Sequence, residues 1–222
     1  MTRAALFDVD GTLVDTNYLH VTAWWEAFRQ AGHTVPMPAI HRAVGLGSDD
    51  LVAHLLGSGR DRDQDAGISA THSALYATYF DRLPPLDGAA DLLRALAGRG
   101  WTIVLATSAS GHELKALRRA LDADDVISGT ASSDDVDEGK PAPDPIRHAM
   151  DIAGATSEEA VYIGDSVWDM AAATRASVPA VGLLSGGIPR ADLEEAGAVE
   201  VHASPAAFLD RLDTGVIARM SP

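Results

Sequence analysis

Ala4-Ala5-Leu6-Phe7-Asp8-Val9-Asp10-Gly11-Thr12-Leu13-Val14-Asp15 is the stretch that decides the fold. An apolar run ends in two aspartates spaced i, i+2, with a glycine directly behind them. Short apolar runs closed by turn residues read as buried strands. On an extended chain alternate side chains share a face, so Asp8 and Asp10 are expected to point toward one spot beyond the strand's carboxyl end. In open α/β sheets that edge is where ligands bind. Two carboxylates crowded there repel each other unless a cation or a proton separates their states. The pattern asks for a metal, and it suits a nucleophile paired with an acid/base. Asp-Gly behind an apolar run is equally a common hairpin turn, so the downstream residues must decide between the two.

The 222 residues are enough to bury a sizeable core in one large domain or two small ones. With 46% apolar and 22% charged residues, the composition is that of an ordinary globular protein. Seventeen Lys and Arg stand against 32 Asp and Glu, a formal charge of −15. That balance argues against nucleic acid or an anionic membrane as partner, since both require basic surface. It also means that an anionic substrate needs local cations. The absence of cysteine excludes disulfides, zinc-thiolate sites and cysteine nucleophiles. The first residues lack the basic and apolar regions of a signal peptide, and no run reaches the ~18 apolar residues of a membrane span. Cytoplasm is the expected location.

Beyond Asp15 the pattern turns helical. Leu19, Ala23, Ala27 and Ala31 recur at i+4, which predicts a helix over Asn17–Ala31. A short helix at Ala39–Ala43, one from Ser48 to about Leu56 and one over Ile68–Arg82 follow, with no strand expected between Thr16 and Arg82. Leu83-Pro84-Pro85-Leu86-Asp87-Gly88 then punctuates the chain as a hinge. From there helix and strand alternate: helices at Ala89–Ala97, Gly111–Leu121, Asp144–Ala153 and Val167–Ala176, strands at Trp101–Ala106, Val126–Ser128, Val161–Gly164, Ala180–Leu184 and Val199–His202. Alternation of this kind predicts right-handed crossovers and a doubly wound, mostly parallel α/β sheet. The expected core comprises residues 1–15 and 84–222, and residues 16–83 form an inserted all-helical cap.

Three further segments end apolar strands in polar groups. Trp101–Ala106 runs into Thr107-Ser108-Ala109-Ser110-Gly111 before a helix, which is either a phosphate site of hydroxyls and free amides or a simple N-cap. Gly139-Lys140-Pro141 sets a lysine in a rigid turn. The chain has two lysines, Lys115 and Lys140, against fifteen arginines, so a compact ammonium at this point fits a point-charge role. Val161-Tyr162-Ile163-Gly164-Asp165-Ser166-Val167-Trp168-Asp169 closes a strand with a carboxylate and adds another four residues on; acidic residues in a first helical turn are also ordinary capping.

Taken in order, these four segments resemble the signature of the haloacid dehalogenase superfamily, in its phosphoglycolate phosphatase and β-phosphoglucomutase-like branch. Asp8-Val9-Asp10-Gly11-Thr12 is similar to its first motif, Thr107 to its second, Lys140 to its third, and Gly164-Asp165-Ser166 with Asp169 to its fourth. The resemblance implies that Asp8 attacks phosphorus and that Asp10 protonates the leaving oxygen and then activates water. It implies Mg²⁺ on Asp8, the carbonyl of Asp10, and Asp165. It implies phosphate oxygens held by Thr107, Ser108, Ala109, Gly11 and Lys140, with Asp169 orienting metal-bound water or pairing with Lys140. Two like charges ~4 Å apart repel by about 4 kcal/mol at an effective dielectric of ~20, so Asp8, Asp165 and a phosphate together need both the metal and Lys140. For Asp10 to act as an acid near neutrality, its pKa is expected to be raised.

Within the family, Asp10 argues against dehalogenation, and the lack of any lysine before Lys115 removes the amine that phosphonate cleavage by a cap lysine requires. Thr16 and His20 resemble the hinge of β-phosphoglucomutase-like members. The loop Gly45-Leu46-Gly47-Ser48-Asp49-Asp50 is acidic, however, where a mutase would carry an arginine for a second phosphate. The expected activity is therefore hydrolysis of a small phosphorylated metabolite, a phosphoglycolate- or sugar-phosphate-type monoester. A mutase is the alternative, and a phosphate sensor that does not turn over stands as a reading of another class. His20, Arg42, Ser48 and Asp49 are the expected cap contacts to substrate, and Trp24 and Trp25 are expected in the core.

Overall fold

Strand β1 (Arg3–Phe7) carries no polar residue after Arg3, and its burial explains why. Ala5 and Phe7 pack on one side of the sheet and Ala4 and Leu6 on the other, all four fully buried. A strand covered on both faces has no solvent side to alternate with, so it reads as a continuous apolar run. The computed structural model describes residues 2–109 and 111–220. In it β1 lies at the centre of a six-stranded sheet in the order β3-β2-β1-β4-β5-β6, with β2 (Trp101–Ala106), β3 (Ile127–Ala131), β4 (Ala160–Gly164), β5 (Ala180–Leu183) and β6 (Ala198–His202). Every pairing is parallel, where the sequence predicted a mostly parallel sheet. Chain order reverses between β1 and β4, and crevices outside the strand carboxyl ends at such a switch point are where open α/β sheets bind ligands.

One face of the sheet is covered by α5 (Ala89–Gly98), α6 (Gly111–Leu121) and the short α10 (Pro205–Leu209) and α11 (Gly215–Arg219). Leu92, Leu93, Leu96, Leu117, Phe208 and Ile217 pack there against Phe7, Ile103 and Ile163. The other face is covered by α7 (Asp144–Ala153), α8 (Val167–Arg175) and α9 (Arg190–Glu195), through Ile146, Ala149, Met170, Ala173 and Leu193. Helices α9, α10 and α11 were not expected from sequence. Each spans six residues or fewer, too short for a 3.6-residue period to show.

Between β1 and α5 the chain is helical: α1 (Asn17–Gln30), α2 (Met37–Ala43), α3 (Ser48–Leu56) and α4 (Asp65–Ala77). These helices bury a cluster of their own, including Val21, Phe28, Ile40, Leu51, Val52 and Ile68. Trp24 belongs to that core and Trp25 packs half-buried against it. Helix α4 starts three residues earlier than the apolar pattern indicates. Arg60 grips the first-turn Asp65 at 2.9 and 3.1 Å, so a polar residue opens the helix. Its expected last turn is instead a separate 3₁₀ turn at Phe80–Arg82. The two crossings to this helical segment run side by side. The amide of Asp15 donates to the Pro84 carbonyl, and that of Leu86 to the Leu13 carbonyl, both at 2.9 Å.

The ring of Phe7 lies fully buried on the central strand. Replacing it with alanine should destabilise the protein by about 3–5 kcal/mol, read as a lowered urea midpoint at unchanged slope. A loss below about 1 kcal/mol would contradict this account of the core.

Candidate active site

Both strands that flank the switch point finish in an aspartate. Asp8 follows β1 directly, and its amide still donates to the Ile163 carbonyl at 2.9 Å. The chain then closes a tight turn in which the amides of Leu13 and Val14 donate to the Val9 carbonyl, at 2.8 and 3.0 Å. Gly11 sits in this turn with φ +71°, and a Cβ on it would lie 2.5 Å from both Asn17 Nδ2 and Asp165 Oδ2. Only glycine fits that backbone and that space. Thr12 Oγ1 lies 3.0 Å from Asp165 Oδ1 and 3.4 Å from Asp8 Oδ2, so one hydroxyl is shared between the two strand ends. Asn17, the first residue of α1, donates to Asp165 Oδ2 at 2.8 Å and to the Gly186 carbonyl at 3.2 Å.

Lys140, 1% exposed, comes from the segment between β3 and α7. Its Nζ lies 2.5 Å from Asp8 Oδ1 and 2.8 Å from Asp169 Oδ1. The hydroxyl of Tyr162 donates to that same Asp169 oxygen at 2.7 Å. The other oxygen of Asp169 accepts from the amide and hydroxyl of Ser166, at 3.0 and 2.6 Å, while the amide of Asp169 donates back to Ser166 Oγ. This is a capping box at the start of α8. One oxygen of this carboxylate thus caps α8 and the other pairs with Lys140. Of the two expected arrangements for it, the structure shows the pairing with Lys140.

The charges do not balance. Burial lifts the Asp8 carboxyl from 3.8 to about 7 against the pull of Lys140. Burial, and then the charges of Asp169 and Asp8, push Asp165 well above the usual carboxylate range. Burial also opposes ionisation of Asp169, but Lys140, Ser166 and Tyr162 outweigh it and hold that carboxyl low. Lys140 stays charged, because Asp169 and Asp8 overcome its own desolvation. Among the described residues no Lys or Arg pairs with Asp165. Carboxylate oxygens of Asp8, Asp165 and Asp169 lie within 4.8 Å of one another. Asp169 is committed to its four donors, which leaves Asp8 and Asp165 with unused lone pairs. A buried pair of hard anionic oxygens lacking a matching cation is a donor set that fits a divalent metal such as Mg²⁺.

Asp10 lies beside this cluster and has different partners. Its Oδ1 accepts from Thr16 Oγ1 at 2.5 Å and lies 3.2 Å from His20 Nε2. Burial would raise its pKa, but the hydrogen bond and charge of His20 and the bond from Thr16 reverse the sign and lower it. The sequence-based expectation of a raised value is thus corrected. The matching rise falls on His20, where Asp10 and Glu113 outweigh burial. His20 Nδ1 meets His72 Nε2 at 3.1 Å, and burial with the charge of His20 depresses His72 to about 2, so the inner imidazole is neutral.

A cavity of about 70 Å³ opens between the strand ends and the helical segment. Of the expected cap residues, His20 and Ser48 line it. Arg42 does not, because it forms an ion pair with Asp192 on the outer surface. Asp49 sits exposed in the first turn of α3 and does not line it either. Ser108 and Ala109 line the cavity, whereas the Thr107 hydroxyl is turned aside to accept from the Ala109 amide at 3.1 Å. Ser110 lies outside the described residues. The Gly11 amide, expected to face phosphate, donates to the Val14 carbonyl at 2.8 Å. Sequence reasoning missed Glu113, His72, Asn17 and Tyr162. Asn17 alone carried a signal, its place directly behind the hinge threonine; an acid in a first helical turn or a tyrosine within a strand is unremarkable.

The chain matches the haloacid dehalogenase-like hydrolase family over residues 2–177, and it belongs to that family. It is an enzyme, by class a phosphoric monoester hydrolase. A phosphoglycolate phosphatase from Rhodospirillum rubrum is 33% identical over 214 residues, which span 90% of this chain and 87% of the relative. A solved hydrolase from Pseudomonas syringae is 35% identical with a TM-score of 0.91, covering 96% of this chain and 98% of that one. A β-phosphoglucomutase from Clostridium difficile shares the fold, with a TM-score of 0.80 at 19% identity over 92% of each chain.

Removing the buried ammonium exposes its share of the balance. Lys140→Met should cost about 3–5 kcal/mol at pH 7, because the buried Asp169 carboxylate loses its counter-charge. Equilibrium denaturation measures this, and a variant as stable as the parent would refute the electrostatic account.

Proposed function

We propose that the enzyme hydrolyses a small phosphate monoester with Mg²⁺, through a phosphoryl group carried on Asp8. The observation that carries this reading is the Lys140 ammonium fixed between Asp8 and Asp169, with Asp165 beside them. When bound by Asp8, Asp165 and the carbonyl of Asp10, the metal supplies positive charge to the phosphate oxygens. The Asp8 carboxylate attacks phosphorus, the bond to the ester oxygen breaks, and Asp10 delivers a proton to the departing alkoxide. As Asp10 turns to that oxygen it takes the proton held on His20. Water then attacks the same phosphorus, Asp10 accepts its proton, and inorganic phosphate and free Asp8 result. Lys140 neutralises the nucleophile and one phosphate oxygen, while Ser108 on the cavity wall holds another.

Phosphatase-named relatives support hydrolysis. So does the placement of Arg42, since an arginine bound to Asp192 is not available to grip a second phosphate in a mutase cycle. The helical segment acts as a cap. It is seated on the core by His41 Nε2, which donates to the Gly186 carbonyl at 2.7 Å, and by Trp168 Nε1, which donates to the Arg42 carbonyl at 2.9 Å. Gly45 comes close enough to α8 that a Cβ would lie 2.7 Å from Ser166 Oγ. No described helix is long and apolar enough to cross a membrane. A cytoplasmic enzyme acting on a soluble metabolite fits the composition.

Release of inorganic phosphate from p-nitrophenyl phosphate and a panel of monoesters tests the reading. Turnover should require Mg²⁺ and vanish in excess EDTA, and Asp8→Asn should lower kcat by at least about 10³-fold with the fold intact. Activity in EDTA, or an Asp8→Asn variant near the parental rate, would overturn it.

Stability offers a second check. Asp8 holds its proton in the fold up to about pH 7, whereas the unfolded chain releases it near 3.8. Asp165 shifts in the same direction. The folded state therefore binds more protons across that window, and metal-free stability should fall as pH rises from about 4 to 7. Mg²⁺ at about 100 times its Kd should restore about 2.7 kcal/mol at pH 7.5 and far less at pH 5. Calorimetric Tm values that respond equally to Mg²⁺ at both pH values would exclude this linkage.

A further inference from the structure

The cavity that would receive the organic part of the substrate has an unusual charge. Asp8, Asp10, Asp165 and Glu113 all line it, and the described lining residues include no Lys or Arg. Asp8 and Asp165 belong to the reacting end. Asp10 is committed to Thr16 and His20. Glu113, from the first turn of α6, differs: its single contact is an ion pair with His20 at 3.7 Å, and among the described residues it makes no hydrogen bond. A carboxyl group that lines a cavity, without a donor of its own, is an acceptor for whatever enters. His20, the one ionisable group of positive sign on the lining that is raised toward the charged form, already faces Asp10 and Glu113, so a second anion would find no free counter-charge.

Resting on the phosphatase reading above, we propose that the enzyme selects phosphate monoesters whose organic part bears hydroxyl or ammonium donors and no anion, with Glu113 setting that choice. Burial lifts the Glu113 carboxyl from 4.5 to about 7 against the pull of His20, so in assays run above that pH a leaving group that ends in a carboxylate is disfavoured by like-charge contact with it. A leaving group that ends in a hydroxyl or ammonium donates to it. The selectivity thus differs from the substrate that names the Rhodospirillum rubrum relative.

Three probes of nearly equal size separate the possibilities: 2-hydroxyethyl phosphate, O-phosphoethanolamine and 2-phosphoglycolate, with p-nitrophenyl phosphate as a reference. With Mg²⁺, kcat/KM should be at least about tenfold higher for the first two than for 2-phosphoglycolate, a difference of about 1.4 kcal/mol. The order of the first two tells whether hydroxyl or ammonium is preferred. Glu113→Gln keeps the size and removes the charge, and should narrow the gap to 2-phosphoglycolate by about tenfold while O-phosphoethanolamine loses ground. If p-nitrophenyl phosphate is hydrolysed and 2-phosphoglycolate ranks level or ahead in the parent enzyme, the inference falls and the phosphatase reading stands. A parental ranking as expected that Glu113→Gln leaves unchanged removes Glu113 from the role. Release of phosphate from none of the four overturns the phosphatase reading itself.

Discussion

A lysine ammonium buried between two aspartates is costly to desolvate, and the rest of the site is arranged around that cost. Moving an ion out of water costs several kcal/mol even after relaxation, and a pair recovers it only with good geometry and further hydrogen bonds. Lys140 has both. Asp8 and Asp169 flank it at 2.5 and 2.8 Å, its ammonium lies 5.7 Å from the centre of the Tyr162 ring, and the Tyr162 hydroxyl reaches on to Asp169. Three elements meet in this contact: the end of β1, the loop before α7 and the first turn of α8. The sheet must hold β1 beside β4 for it to form, and the capping box must hold Asp169. Asp165 has only the neutral donors Thr12 and Asn17, so its charged form lacks a cation among the described residues, and for that reason the same cluster suits a divalent ion.

The helical segment has a hydrophobic core of its own and still shares packing with the sheet. It leaves the sheet through two strands that hydrogen-bond to each other. It is joined to the core by both kinds of contact: Ala23 and Tyr76 enter the core's hydrophobic cluster, Leu19, Leu75, Tyr79 and Phe80 pack against it, and polar bridges run from His41 to Gly186, from Trp168 to the Arg42 carbonyl, from Arg42 to Asp192 and from Ser108 to the Gly45 carbonyl. Asn17 and His20 stand on α1, the helix that leads out of the crossing, and they touch Asp165 and Asp10. A change in the seating of that helix is transmitted directly to two carboxylates of the site.

Much of this was legible in the chain, for identifiable reasons. A strand buried on both faces leaves a run such as Ala4–Phe7, and a site at a strand end leaves Asp8 and Asp165 where such runs stop. Scarcity marked Lys140, one of two lysines. What sequence did not disclose depends on contacts between distant segments. His72 meets His20 across 52 residues, and no spacing rule links them. Glu113 looks like any acid that favours a helix N-terminus. Arg42 was placed at the substrate, but it turns outward because Asp192 lies within reach on the core. The rise expected for Asp10 as an acid is reversed for the same reason, since His20 and Thr16, brought in by the helical segment, impose a fall.

The overall charge of −15 and the phosphate-binding role are compatible because they act over different distances. At physiological salt, fields between exposed charges fade beyond about 8 Å, so surface acids weakly affect an anion already inside the cavity. Within it the low dielectric magnifies each nearby group, and there the balance is set by Lys140 and the lining carboxylates. In the proposed reaction the phosphate lies at the strand ends, beside Lys140. Only a few ångströms away, the wall formed by Glu113 has the opposite preference. One end of a substrate can therefore be required to be anionic and the other end required not to be, within a cavity of about 70 Å³.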